Sequence, residues 1–405
     1  MCTTVNVHDF NIKMRIFRGV LVLITAVHAQ WTLSCSAERV DPEVYMNTTQ
    51  LIRSKGYICE EHQVHTRDGY ILDIQRIPPS RGTGSGKVVL LQHGLLSCSA
   101  CWVENLVNES LGFMLADRGF DVWLGNSRGN TYGRKHEKLN PNEDEFWDFS
   151  WDEMADIDIP NTIDYILKQS GQTKISYVGH SQGTEVLFAA LSENEELADK
   201  VELFIALAPA VYMGHLKSPV RLLSGIPSDL AYAVLGRKDF APETEFITWL
   251  AADVCGKEIP GILCENVLFI LGGYDYKEMN ASRIPVYVGQ HPAGTSVKNI
   301  LHYAQAVQSD KFQRFDYGPK MNMEKYNQTT PPEFYLKNVK TPTVVYSGTA
   351  DWLVVPEDAN RTVSELPNVV EHIVIDGWEH LDFIWALHAP SKCYNHVVEL
   401  LENNK

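Results

Sequence analysis

Apolar and polar positions follow two rhythms along this chain, one of period two or continuous over short runs, the other of helical spacing. Residues 63–77 alternate around Arg67-Asp68-Gly69, which predicts an antiparallel hairpin. A polar, Gly-rich break covers 78–86. Residues 88–91 are then a short, continuously apolar run ending in His93-Gly94, as expected of a strand buried on both faces that delivers a loop at its C-terminal end. The pattern repeats. Residues 111–118 have helical spacing, 120–124 are strand-like, and Gly125-Asn126-Ser127-Arg128-Gly129-Asn130 reads as a loop. Residues 157–168 return to helical spacing, with Pro160 near the start and Gly171 as the stop. A strand at 175–178, a helix at 184–191 and a strand at 203–207 follow.

This alternation predicts an α/β protein with a mostly parallel central sheet and helices on both faces. The rhythm lapses between about residues 211 and 337, where Pro and Gly mix with aromatic patches at 246–250 and 267–271. It resumes with strands at 343–346 and 369–375 and closes on an apolar helical segment at 393–401. The expected organisation is one catalytic domain in two parts, 38–210 and 338–405, with 211–337 inserted between two strands of one sheet and 1–37 as a leader.

Composition narrows the picture. With 405 residues, 44% hydrophobic and 21% charged, the chain can bury a large core, so disorder is not the reading. A formal net charge of -16 without Lys and Arg clusters argues against nucleic acid as a partner. Lys13, Arg15 and Arg18 precede an apolar run from Gly19 to Ala29, which reads as an export signal too short to span a bilayer. The competing reading is a buried strand or helix. Met14 is an alternative start, and cleavage after Ala29 or after Ala37 both fit. No other stretch is long and apolar enough to be transmembrane, so the mature protein is expected to be soluble.

Sequons N-x-[ST] at Asn47, Asn108, Asn280, Asn327 and Asn360 fit a secretory route, each weakly by itself. Cys255 and Cys264 flank a turn-like stretch, a short loop that a disulfide closes in an oxidising compartment. Cys98 and Cys101 form a lone C-x-x-C. With no second Cys pair or matching His spacing, small core residues or a local disulfide are favoured over zinc or redox work.

Gly179-His180-Ser181-Gln182-Gly183 is a G-x-S-x-G element between a predicted strand and a predicted helix, the context in which the motif marks a nucleophile. Its plain alternative is a Gly-rich packing turn. A serine hydroxyl needs a base to take its proton, and the base needs an acid to hold its tautomer. Asp351, after the strand at 343–346, and His380, after the strand at 369–375, follow Ser181 in the order this chemistry uses on such a sheet. His372 lies within a strand and His388 in the next helical stretch. Asp376 and Asp382 are too near His380 along the chain to orient it, and His180 reads as structural. The oxyanion formed on attack needs backbone N–H donors, expected from Gln182 and from Leu95 in the loop His93-Gly94-Leu95-Leu96. A polar loop without catalytic use is the alternative for the latter. No metal or organic cofactor is expected.

The chain resembles the acid lipase family that includes gastric and lysosomal acid lipases. The resemblance runs from about Val44 to the C-terminus, through Leu91-Gln92-His93-Gly94-Leu95-Leu96, Asp121-Val122-Trp123-Leu124-Gly125-Asn126-Ser127-Arg128-Gly129-Asn130, Glu145-Phe146-Trp147, 178–183, Asn280-Ala281-Ser282-Arg283, His291-Pro292-Ala293-Gly294-Thr295-Ser296 and His380-Leu381-Asp382-Phe383-Ile384-Trp385. It implies the α/β-hydrolase fold, hydrolysis of triacylglycerols or sterol esters at a lipid–water interface, a cap within 211–337, the same triad, a Cys255–Cys264 disulfide, and a secreted or lysosomal destination. Two departures stand out. Gly272, in Gly272-Gly273-Tyr274-Asp275, occupies a place where the family often carries a cysteine, and Cys98 and Cys101 fall where other small residues are expected. An esterase or thioesterase for shorter acyl groups, and a non-catalytic lipid-binding or storage protein on a lipase fold, are the rival functions. The long aromatic-bearing insertion favours a bulky apolar substrate over the first, and the complete triad argues against the second. Triacylglycerol against sterol ester preference, pH optimum and oligomeric state are left open by the sequence.

Overall fold

Residues 40–79, 86–242, 272, 273 and 277–404 are described by the computed structural model of the chain, and all lie in one compact unit that starts at Val40. The expected leader, Cys255, Cys264 and the aromatic patches at 246–250 and 267–271 lie outside the described residues.

The strands are β1 (Glu60–His65), β2 (Tyr70–Ile77), β3 (Val88–Gln92), β4 (Asp121–Leu124), β5 (Ile175–His180), β6 (Val201–Leu207), β7 (Thr343–Gly348) and β8 (Val369–Ile375). They pair in the order β1-β2-β4-β3-β5-β6-β7-β8, with a two-residue strand, Lys135–His136, added beside β2. β1 and β2 form the expected antiparallel hairpin, β2 meets β4 antiparallel, and every pair from β4 to β8 is parallel.

The continuous apolar runs are explained by what lies on each face. Along β3, Val89 and Leu91 enter one hydrophobic core while Val88 and Leu90 enter the other; along β6, Leu203, Ile205 and Leu207 face the first and Phe204 and Ala206 the second. A strand covered on both faces has no position at which a polar side chain reaches water, so the alternation seen in β2 disappears.

The main helices are α1 (Thr48–Ser54), α2 (Leu111–Asp117), α3 (Ile159–Ser170), α4 (Gln182–Glu193), α5 (Val297–Ser309), α6 (Pro356–Glu365) and α7 (Asn395–Asn403). Residues of α1, α2 and α7 fill the first core, and those of α3 and α4 the second. Two helices differ from the spacing-based bounds for the same reason. α3 begins at Ile159 because Met154–Asp158 ahead of it is a π-helical turn, itself entered through a capping box of Ser150 and Glu153. α7 begins at Asn395 because Pro390–Tyr394 is likewise a π turn. A wider turn slips the apolar positions by a residue, which 3.6-residue periodicity does not register.

β6 and β7 are neighbours in the sheet, with Thr343 opposite Phe204. Between them the chain leaves the sheet through helices Ser228–Leu235 and Ile284–Gln290, α5, and helix Pro319–Tyr326, with the short strands Asp239–Phe240 and Thr295–Ser296 paired antiparallel.

Candidate active site

At the end of β5 the backbone turns sharply at Ser181, whose φ of 53° and ψ of -119° lie outside the regions that side chains favour. The turn is possible because of its glycines. A Cβ on Gly179 would stand 2.7 Å from the carbonyl oxygen of Gly183, and one on Gly183 only 2.3 Å from that of Gln92. The strained residue is held from both sides. Its N–H donates to the Leu207 carbonyl at 3.0 Å, and its own carbonyl accepts from the Thr184 hydroxyl at 2.6 Å at the start of α4. Ser181 retains 9% of its surface.

β7 and β8 lead into the two loops that carry Asp351 and His380. His380 Nδ1 lies 2.8 Å from Asp351 Oδ2, both groups being buried. The other oxygen, Oδ1, accepts the N–H groups of Leu353 (2.8 Å) and Val354 (2.7 Å), so three donors fix the carboxylate. With its Nδ1–H donated to Asp351, the imidazole has Nε2 left as a proton acceptor. His380 is joined to the turn through the residue before Ser181: His180 Nε2–H donates to the His380 carbonyl at 3.0 Å, and the two rings stand 4.9 Å apart. Burial first, then the nearby His380, lowers the His180 pKa to about 3, so His180 is a neutral brace.

The loop after β3 approaches the same turn. A Cβ on Gly94 would lie 3.0 Å from that of Ser181 and 3.1 Å from His180 Nδ1. Leu95 follows Gly94 directly, and Leu96 has a φ of 59°, a strained value for a non-glycine residue. Gln182, the first residue of α4, is buried. The structure thus gathers the C-terminal ends of β3, β5, β7 and β8 around one serine, one imidazole and one carboxylate.

The alpha/beta hydrolase fold family model matches residues 87–387, and the partial alpha/beta-hydrolase lipase region matches residues 48–106. Lysosomal acid lipase/cholesteryl ester hydrolase of Homo sapiens is 46% identical over 399 residues, which cover 96% of this chain and 99% of that protein. The chain belongs to the acid lipase family. Gastric triacylglycerol lipase of Rattus norvegicus is 47% identical over 366 residues, 89% of this chain and 93% of that protein. Among solved structures, a soluble variant of monoglyceride lipase from Saccharomyces cerevisiae superposes with a TM-score of 0.52 at 13% identity, covering 93% of this chain and 99% of that one, a likeness of fold.

In this acid lipase the rival side chains are occupied elsewhere. His372 bonds Ser347 Oγ at 2.9 Å within the sheet, and His388 bonds Glu278 at 2.9 Å. Asp376 is exposed and accepts from Thr349, while Asp382 accepts the Glu379 N–H at 2.7 Å. Cys98 and Cys101 are buried in the first core and neither forms a disulfide, so the local bridge is not made. Burial, and then Glu104 and Cys98, push the Cys101 thiol well above its ordinary range, the opposite of a reactive thiolate. Position 272 packs against the end of a glutamate side chain. A Cβ there would stand 2.2 Å from Glu379 Oε2, a fully buried side chain beside His380. The Gly272 carbonyl in turn accepts the Trp352 N–H at 3.1 Å, so this stretch wedges between the two loops that carry Asp351 and His380.

Sequence reasoning missed His93, Asn126 and Asn130 as supports of the Leu95 loop, although all three stand in motifs it singled out. It also missed a buried carboxyl behind the turn. Glu185 of α4 accepts from the Tyr303 hydroxyl of α5, and burial raises its pKa well above the ordinary 4.5, with Asp152 adding to the rise. A carboxyl whose folded pKa is raised contributes stability that is complete below about 4.5 and is lost as pH climbs through the folded value. Glu185→Gln keeps the Tyr303 contact and removes the proton. Unfolding free energies from urea titrations are therefore expected to fall less steeply with rising pH in the variant, by up to about 1.4 kcal/mol per pH unit. Parallel curves for the two proteins would refute a protonated Glu185.

Proposed function

We propose that this acid lipase is a serine lipase that hydrolyses carboxylic esters of long-chain fatty acids, in triacylglycerols, sterol esters or both, through an acyl-enzyme on Ser181. The observation that carries the reading is the 2.8 Å bond between His380 Nδ1 and Asp351 beside the strained turn at Ser181. In the first half-reaction His380 Nε2 takes the Ser181 proton as Oγ attacks the ester carbonyl. The tetrahedral oxyanion accepts the N–H groups of Leu95 and Gln182, and the alcohol leaves with the proton from His380. Water then attacks the acyl-enzyme with His380 as base, releasing the fatty acid. Each step uses groups of this chain alone.

The substrate class rests on kinship with lipases named for cholesteryl esters and triacylglycerols, and on the long excursion between β6 and β7. We read residues 211–337 as a cap over the site, the parts 38–210 and 338–405 as its catalytic frame, and Cys255 and Cys264 as bridged within the cap. An organophosphonate should label the protein at one residue, and peptide mass analysis should place it on Ser181. Rates on triolein, cholesteryl oleate and a short-chain ester then assign the class. A protein fastest on the short soluble ester is an esterase, and one that neither reacts nor turns over is a binding protein.

We further propose export through the secretory route to the lysosome or the cell exterior, with residues 1–37 as signal and leader. No helix among the described residues is long and apolar enough to cross a membrane. Asn47, Asn108, Asn327 and Asn360 are exposed and Asn280 is half-buried, so the sequons present accessible side chains. Protein from a secreting animal cell should lose mass on treatment with an N-glycosidase, in one step per occupied site. Retention in the cytosol with no mass change would remove this part of the reading.

A further inference from the structure

The loop Gly125-Asn126-Ser127-Arg128-Gly129-Asn130 contributes no group to the proposed reaction, yet three of its members grip the loop that carries Leu95. Asn126 Oδ1 accepts the Ser99 N–H at 2.9 Å, and its Nδ2 reaches the Ser99 hydroxyl at 3.0 Å. Asn130 Nδ2 stands 3.3 Å from the Ser97 carbonyl and 3.1 Å from His93 Nε2. The backbone N–H of Ser127 points at that same nitrogen from 3.1 Å.

These contacts settle the state of His93. A backbone N–H only donates, so Nε2 is the acceptor and carries no proton. The ring proton is therefore on Nδ1, 2.7 Å from the carbonyl oxygen of Gly94. The imidazole is buried, which lowers its pKa to about 4 against the opposing pull of the Gly94 bond, so the ring stays neutral.

The Gly94 carbonyl and the Leu95 N–H belong to one planar trans peptide and point in opposite directions. Whatever holds the carbonyl therefore also aims the N–H. The backbone needs such a hold: Ser97 N–H closes the turn on Gly94 O at a long 3.3 Å, and Leu96 within it has a positive φ. The other clamp is the Leu96 carbonyl, which accepts the Ala293 N–H at 2.8 Å.

We propose that His93 is a positioning residue for ester hydrolysis, its Nδ1–H fixing the Gly94–Leu95 peptide so that the Leu95 N–H meets the oxyanion, with Ser127 and Asn130 setting the required tautomer. The proposal rests on the reading of Leu95 as an oxyanion donor. It differs from a merely packed core histidine in assigning the effect to one ring nitrogen and to the transition state.

The test compares His93→Asn, His93→Gln and His93→Leu in the full chain on a long-chain ester. The Asn amide falls where Nδ1 lies and can donate to Gly94, whereas the Gln amide falls near Nε2 and cannot. The asparagine variant should keep kcat within about tenfold of the parent. The glutamine and leucine variants should lose on the order of 10² in kcat with KM little changed, and their inactivation by an organophosphonate, whose phosphoryl oxygen occupies the same donors, should slow in proportion. Asn130→Asp provides an arm that leaves His93 in place: it keeps the acceptor for the Tyr132 N–H (2.9 Å) and loses the donor to Nε2, to the Ser97 carbonyl and to Asn126 Oδ1, so its unfolding temperature should drop, and kcat of the folded protein, measured below that temperature, should fall at least about tenfold. The proposal is overturned if glutamine serves as well as asparagine, if the losses appear in KM alone, or if Asn130→Asp keeps full kcat. A parent protein without ester hydrolysis, or a Ser181→Ala variant as active as the parent, would instead sink the functional reading on which it rests.

Discussion

Ser181→Ala is expected to leave folding and secretion intact while hydrolysis of a long-chain ester falls by on the order of 10³ or more, about 4 kcal/mol of transition-state stabilisation. The fold should survive because the hydroxyl accounts for none of the bonds that shape the turn. Those run through the backbone N–H to Leu207 and the backbone carbonyl to Thr184, and alanine keeps both. Chemistry should fail because no covalent intermediate forms. The residual rate measures what Leu95, Gln182 and substrate binding contribute without the nucleophile, and phosphonate labelling should vanish together with turnover. Undiminished hydrolysis in the variant would remove the assignment.

Asp351→Asn should cut kcat by on the order of 10³ to 10⁴ with a small change in KM. The amide retains an oxygen, which can keep the N–H groups of Leu353 and Val354. Its NH₂ group then faces His380 Nδ1 and donates where the carboxylate accepted. The imidazole answers by moving its proton to Nε2, the nitrogen that must be empty to take the proton of Ser181. Asp376→Asn is the control, since Asp376 is exposed and bonded to Thr349, and it should leave kcat within about twofold. If Asp376→Asn is the variant that loses turnover, the acid has been misassigned.

Much of this site was legible one residue at a time. The glycines at 179 and 183 announce a turn too tight for a side chain, and the structure shows why: carbonyl oxygens stand within 2.7 Å of where a Cβ would go. Asp351 and His380 were read as partners from their distance past apolar strands, a rule that rests on a parallel sheet delivering its loops to one end. The supports were not legible in this way. His180 read only as structural and His93 only as a member of its loop, because their partners, the His380 carbonyl, the Ser127 N–H and Asn130, lie about 200 residues away in one case and in a separate loop in the other. The π turns ahead of α3 and α7 escaped for a simpler reason, since helical periodicity is assumed before it is read.

The division between the two levels follows the range of the forces. Hydrophobic periodicity, chain stiffness at glycine and proline, and the chemistry of a motif are properties of a few consecutive residues, so the sequence alone determined the strands and the identity of the nucleophile candidate. Pairing order in the sheet, the tautomer of each imidazole and the packing of Gly272 against Glu379 depend on groups brought close only after the two cores form. A proton's position on a ring is set by whichever donor or acceptor faces it, and for His380, His180 and His93 that neighbour, the Ser127 N–H in the last case, was chosen by the fold.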